Sequence, residues 1–152
     1  MGEWTPIGLF KNEQGVFKNI SKSIDLENEK GWWFSITETD VNNDGNKDYV
    51  IGNIGLNYKF KATKEKPLRI YADDFDSNGT HDVVLSYKYK GNFVPARGRE
   101  CSSQQMPFIA KKIPTYNEFA KADLEKIYGN KIHTAYQQEA NEFNSILLLN
   151  KN

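Results

Sequence analysis

The chain has a single cysteine, Cys101, and that scarcity excludes two architectures at once. A disulfide framework needs paired cysteines, and a thiolate zinc site needs several. An excess of charge of one sign is also missing: 20 Lys plus Arg balance 20 Asp plus Glu. There is therefore no electrostatic case for nucleic acid or an anionic membrane as partner. The four lysines between Lys59 and Lys66 fall in a turn-like connection and read as a solvated loop. No apolar run approaches the ~18–20 residues that cross a bilayer as a helix, and no signal peptide opens the chain. The Met-Gly start and the Asn-Lys-Asn end read as cut points in a longer protein, so an export signal is expected to lie outside this sequence. Apolar content is low at 38%, whereas aromatics reach 13%. That combination suits one β-rich domain with thin cores.

Against these absences stands one pattern that occurs twice. Asp40-Val-Asn42-Asn-Asp44-Gly45-Asn46-Lys-Asp48 and Asp74-Phe-Asp76-Ser-Asn78-Gly79-Thr80-His-Asp82 each place an oxygen side chain at positions 1, 3, 5 and 9 and glycine at position 6. Their first residues lie 34 positions apart, as in an internal repeat. Hard cations such as Ca²⁺ take six to eight oxygen ligands, and this spacing can wrap a short loop around one ion. Asp40, Asp44 and Asp48, then Asp74, Asp76 and Asp82, are the carboxylates; Asn42 and Asn78 add neutral carbonyls. Asn46 and Thr80, at position 7, are expected to ligate through their backbone carbonyls. Three carboxylates in one turn repel one another without a cation, so metal binding and local folding should be coupled. Asp, Asn and Gly also favour plain turns. That explains one or two acids per loop, but not the same four-oxygen spacing twice.

The loops are not EF-hands. Position 12 is Ile51 in one and Leu85 in the other, where that motif needs a bidentate Glu. Their flanks, Trp32–Thr37 and Tyr49–Gly52, then Leu68–Ala72 and Val83–Tyr87, are rich in β-branched and aromatic residues and read as strands. Strand–loop–strand units are thus expected at about 32–53 and 68–90. Residues 3–18 predict a hairpin with one strand from Trp4 to Phe10, and 20–30 a loop. Tyr87–Val94 predicts two strands around a Gly91-Asn92 turn. Thr115 and Glu118 form a possible capping box for a helix over about 116–128, with Phe119, Leu124 and Ile127 on its buried stripe and Gly129 as its stop. Residues 132–149 read as two strands.

Tandem strand–DxDxDGxxD–strand units resemble FG-GAP/VCBS repeats, the blades of integrin α-like β-propellers. Gly31-Trp32-Trp33, Asp48-Tyr49-Val50-Ile51-Gly52-Asn53, Gly55-Leu56-Asn57 and the Arg97–Phe108 string resemble a narrower group, the exported VCBS-repeat proteins of Bacteroidota-type bacteria. The resemblance implies a mainly β fold: antiparallel blade-like sheets of a partial β-propeller, with calcium-binding hairpin loops and one inserted helix. It implies calcium ligation at positions 1, 3, 5 and 9 of both loops, hence two Ca²⁺ sites. Asn42 and Asn78 depart from the family's aspartates and each removes a charge but not an oxygen. A closed propeller needs about four to eight four-stranded blades. The chain therefore reads as a single domain or propeller fragment over 1–152, with β blades at about 1–95 and 130–152 and a helical insertion at about 96–129. The remaining blades would belong to the parent chain.

Three functions compete: a calcium-stabilised module binding a protein or glycan ligand, a structural wedge of a surface assembly, and a polysaccharide-processing enzyme. Catalysis would have to draw on Arg97, Arg99, Glu100, Cys101, His81 and His133, which form no nucleophile–base pattern. His81 is expected to face solvent, His133 to lie in a strand, and the Arg/Glu group to brace the inserted segment by ion pairs. The expectation is a non-enzymatic, extracellular, cell-surface or periplasmic module.

Overall fold

The structure, a computed structural model, describes residues 1–151. It is mainly β, with 36% of residues in strands and 22% in helices. No helix among the described residues is long and apolar enough to cross a membrane. The chain forms two compact units, residues 1–65 with 139–152, and residues 66–138.

In the first unit a four-stranded sheet runs β1–β4–β5–β10, built from β1 (Glu3–Pro6), β4 (Lys30–Thr39), β5 (Asp48–Asn53) and β10 (Ile146–Leu148). A separate hairpin pairs β2 (Phe10–Glu13) with β3 (Val16–Asn19). The expected hairpin is therefore present, but its first strand is not continuous from Trp4 to Phe10. The chain leaves the sheet after Pro6 to bury Ile7 with Leu26, Trp33 and Ile51 in the unit's core. The segment 20–30 holds two 3-10 turns, Ser21–Ile24 and Leu26–Asn28. Burial of Leu26 explains why this polar stretch is ordered.

Two residues fix the geometry behind β4 and β5. A Cβ on Gly31 would lie 2.6 Å from Asn53 Nδ2 and 2.8 Å from the Glu142 carbonyl, so only glycine fits. Asn53 Oδ1 accepts the Trp32 and Ile54 N–H groups, and its amide donates to the Glu142 and Asn144 carbonyls. One side chain thus satisfies four backbone groups and ties β4 to the C-terminal segment.

The other four-stranded sheet runs β8–β7–β6–β9, with β6 (Leu68–Asp73), β7 (Asp82–Tyr89), β8 (Asn92–Pro95) and β9 (Tyr136–Ala140), and the division between the units falls within β9. The β7–β8 turn is Lys90-Gly91, both at positive φ, because Tyr89 pairs with Asn92; it falls one residue before the expected Gly91-Asn92. Five short helices follow: α1 (Arg99–Gln105), α2 (Phe108–Lys112), α3 (Tyr116–Ala120), α4 (Leu124–Tyr128) and α5 (Lys131–Thr134).

The single helix expected over 116–128 is broken in two. Its start is as read: Thr115 Oγ1 accepts the Glu118 N–H, and Glu118 reaches back to the Thr115 N–H. Asp123 then adopts an extended ψ of −178° and caps a new helix by accepting the Lys126 N–H. An aspartate that can cap competes with helix continuation. Phe119, Leu124 and Ile127 are still all buried, in a core with Tyr71 and Val84 of the sheet and Phe75 of the second loop.

Candidate metal centre

Both repeated loops have the same frame. Thr39 faces Asp48 across β4–β5, and Asp73 faces Asp82 across β6–β7, so each loop spans positions 1 to 8 between paired strand ends. Position 4 is in the left-handed region in both, Asn43 at φ 59° and Ser77 at φ 63°. Position 6 is too, Gly45 at 84° and Gly79 at 89°. Glycine suits that region, having no Cβ to clash.

The hydrogen bonds repeat as well. Asp40 accepts the Asp44 and Gly45 N–H groups at 3.1 and 2.9 Å; Asp74 accepts those of Asn78 and Gly79, both at 2.9 Å. Position 3 shares the position-5 N–H, through Asn42 Oδ1 in one loop and Asp76 Oδ1 in the other. Position 5 accepts the position-7 N–H at 2.8 Å, Asp44 from Asn46 and Asn78 from Thr80. These bonds hold the position 1, 3 and 5 side chains against the loop's own N–H groups. They also hold Asp44 and Asp74 below the usual carboxylate range, chiefly through the N–H groups of Asn46 and Gly79 respectively.

The loops differ at the positions that concentrate charge. Oxygens of Asp74, Asp76 and Asp82 all lie within 4.8 Å of one another. Two ligands on opposite sides of a calcium ion would stand about 4.6–5.2 Å apart, since each bond is about 2.3–2.6 Å. The same positions of the first loop are Asp40, Asn42 and Asp48, with an amide replacing one carboxylate. There Asn42 Nδ2 donates to Asp44 Oδ2 at 2.8 Å, a bond that binds up one of the carboxylate oxygens.

Position 9 carries the sharper contrast. Asp48 is fully buried, and its two oxygens accept the Val41 and Asn150 N–H groups at 3.0 and 2.9 Å. Asp82 is 6% exposed; Oδ1 meets the Gln105 amide at 3.5 Å, and Oδ2 has no hydrogen-bond partner. Burial, then the neighbouring Asp76 charge, push the Asp82 carboxyl above its ordinary range, and the Phe75 N–H, the counterpart of the Val41 N–H at Asp48, offsets part of that. A buried oxygen left unpaired is costly, and here it sits on a carboxyl that has two other carboxylates within 4.8 Å. The donor set, all oxygen with three carboxylates, fits a hard divalent cation and not a soft one.

Three partners of the loops were not foreseeable from the motif. Gln105 of α1 approaches Asp82, Lys131 of α5 donates to the Asp74 carbonyl and to Ser77 Oγ, and Asn150 satisfies Asp48. All are remote in sequence, and none belongs to a recognisable pattern.

The residues considered for catalysis all lie in the second unit. His81 is exposed, as expected. His133 lies in α5 rather than a strand, 3.6 Å from Glu125, with both side chains largely in solvent. The Arg/Glu group does brace the helices, but not by ion pairs. Arg99 donates to the Ile113 and Ala110 carbonyls and stacks on Tyr116, while Glu100 accepts the Tyr116 hydroxyl at 2.9 Å. Cys101 is exposed. No protein-family model, curated protein or solved structure matches the chain.

Proposed function

We propose that the chain is a calcium-binding module of the FG-GAP/VCBS type, part of an exported or surface protein, and that it acts in binding rather than catalysis. The observation that supports this reading most is the duplication of one loop frame, ending in one copy at a buried aspartate with an unpaired oxygen. Plain turns have no need of a third carboxylate against two others. A cation at Asp74, Asp76 and Asp82 would neutralise that repulsion, and its contribution would be structural, locking β6 to β7. The first loop would bind the same ion through Asp40, Asn42, Asp44 and Asp48, more weakly. Two four-stranded sheets, each carrying one loop, are consistent with blade-like units.

With three carboxylates per loop, affinities should fall in the range of extracellular modules, about 10⁻⁴–10⁻³ M. Such sites would stay largely empty at cytosolic calcium and fill outside the cytoplasm. The test is thermal melting of metal-stripped protein. Millimolar Ca²⁺ should raise the melting temperature, and a chelator should return it to the starting value. A melting curve indifferent to both would remove the basis for the assignment.

A further inference from the structure

The second unit also holds a cleft that the metal loops do not use. It has a volume of about 450 Å³ and lies beside the β7–β8 hairpin, with Val94 and Phe119 among its apolar lining. That volume is within the usual range for small-molecule sites, about 300–1,000 Å³. Tyr87 and Tyr89 alternate along β7 and so present their rings on one face of the sheet. Tyr116 contributes a third ring from α3. Tyr87, Tyr89 and Tyr116 are 38%, 53% and 62% exposed, a concentration of aromatic surface around one opening.

The charged residues of the lining are both arginines, and the one carboxylate at the rim, Glu100, is engaged by the Tyr116 hydroxyl. Arg97 and Arg99 line the cleft, and no aspartate or glutamate does. Arg99 is committed: it bonds two helix carbonyls and stacks on Tyr116, whose hydroxyl is held by Glu100. Those bonds fix the Tyr116 wall. Arg97 is exposed, and its guanidinium has no partner among the described residues. The Lys90 ammonium, 5.4 Å from the Tyr89 ring centroid, adds a further positive charge nearby.

We propose that this cleft binds a small carboxylate whose frame presents a ring. A guanidinium fork matches a planar carboxylate through two parallel N–H···O bonds. Tyrosine walls offer flat apolar faces with hydroxyls at their rims, which suit the face of a sugar acid or of an aryl acid. Both are sources of the same chemistry, and the site is independent of calcium.

The experiment is a two-dimensional amide NMR titration of the full chain, read at Gly98 and at the Tyr87 and Tyr89 positions. Four probes are compared: galacturonate, phenylacetate, acetate and methyl galactoside. At least one ring acid should saturate in the range of about 1–10 mM, and which one does so identifies the source. Acetate and the neutral sugar should bind at least about tenfold more weakly. R97Q changes an exposed side chain, and an otherwise unchanged spectrum shows that it folds. It should weaken the ring acid at least about tenfold, the loss expected for a hydrogen-bonded ion pair. The proposal is overturned if neither ring acid saturates, if acetate binds as well as they do, or if R97Q binds like the wild type.

Discussion

Replacing Asp82 with asparagine separates the two roles of the second loop. The Asp82 carboxylate is buried, has one unpaired oxygen and lies close to those of Asp76 and Asp74. Asparagine keeps the shape, removes one of three like charges and can donate to a neighbouring carboxylate. Metal-free D82N should therefore be more stable than the wild type, by about 1 kcal/mol. The response to calcium should change in the opposite sense. With a dissociation constant of about 10⁻⁴–10⁻³ M, a wild-type site in about 10 mM Ca²⁺ gains about 1.4–2.7 kcal/mol. For a chain of this size that is a rise of roughly 3–11 °C in melting temperature. D82N should lose the share that belongs to its loop. Amide NMR assigns that share, because Gly45 and Gly79 each donate to the position-1 aspartate at 2.9 Å and so report on one loop each. Calcium should move both signals in the wild type and only Gly45 in D82N. A Gly79 shift that persists undiminished in D82N would refute the assignment of Asp82 as a ligand.

Asn42→Asp restores the carboxylate missing from the first loop and should tighten calcium there several-fold, read as the midpoint of the Gly45 shift; an unchanged or higher midpoint would contradict the charge argument. Gly31→Ala should cost about 1–3 kcal/mol in urea unfolding, since its Cβ would overlap Asn53 Nδ2 and the Glu142 carbonyl; a loss under about 0.5 kcal/mol would show that the C-terminal segment yields easily. Thr115→Ala removes the capping box of α3 and should cost about 0.5–2 kcal/mol, whereas no loss would mean that packing of Phe119 alone holds the helix.

The loops were legible because their determinants are local. Alternating oxygens, a glycine at position 6 and β-rich flanks lie within one short stretch, and the structure sets Asp48 and Asp82 at the first residue of the strands that follow. The capping box at Thr115 was legible for the same reason. What failed depended on competition or on distance. Asp123 could sit in a helix or cap one; in the structure it caps, and Leu124 and Ile127 are buried on the new helix. The strand expected from Trp4 to Phe10 breaks because Ile7 has a core to fill. The division into two units was hidden because β10 returns from the far end of the chain to pair with β5. The partners Gln105, Lys131 and Asn150 reach the loops from residues with no motif of their own.

Titration calorimetry of the metal-stripped chain with Ca²⁺ and, separately, Mg²⁺ tests the central claim most directly. The account predicts saturable calcium binding at two sites, the tighter one lost in D82N, with Mg²⁺ much weaker because it demands a near-ideal octahedron. No heat in millimolar Ca²⁺, with no change in the Gly45 and Gly79 amides, would mean that both loops are turns and nothing more.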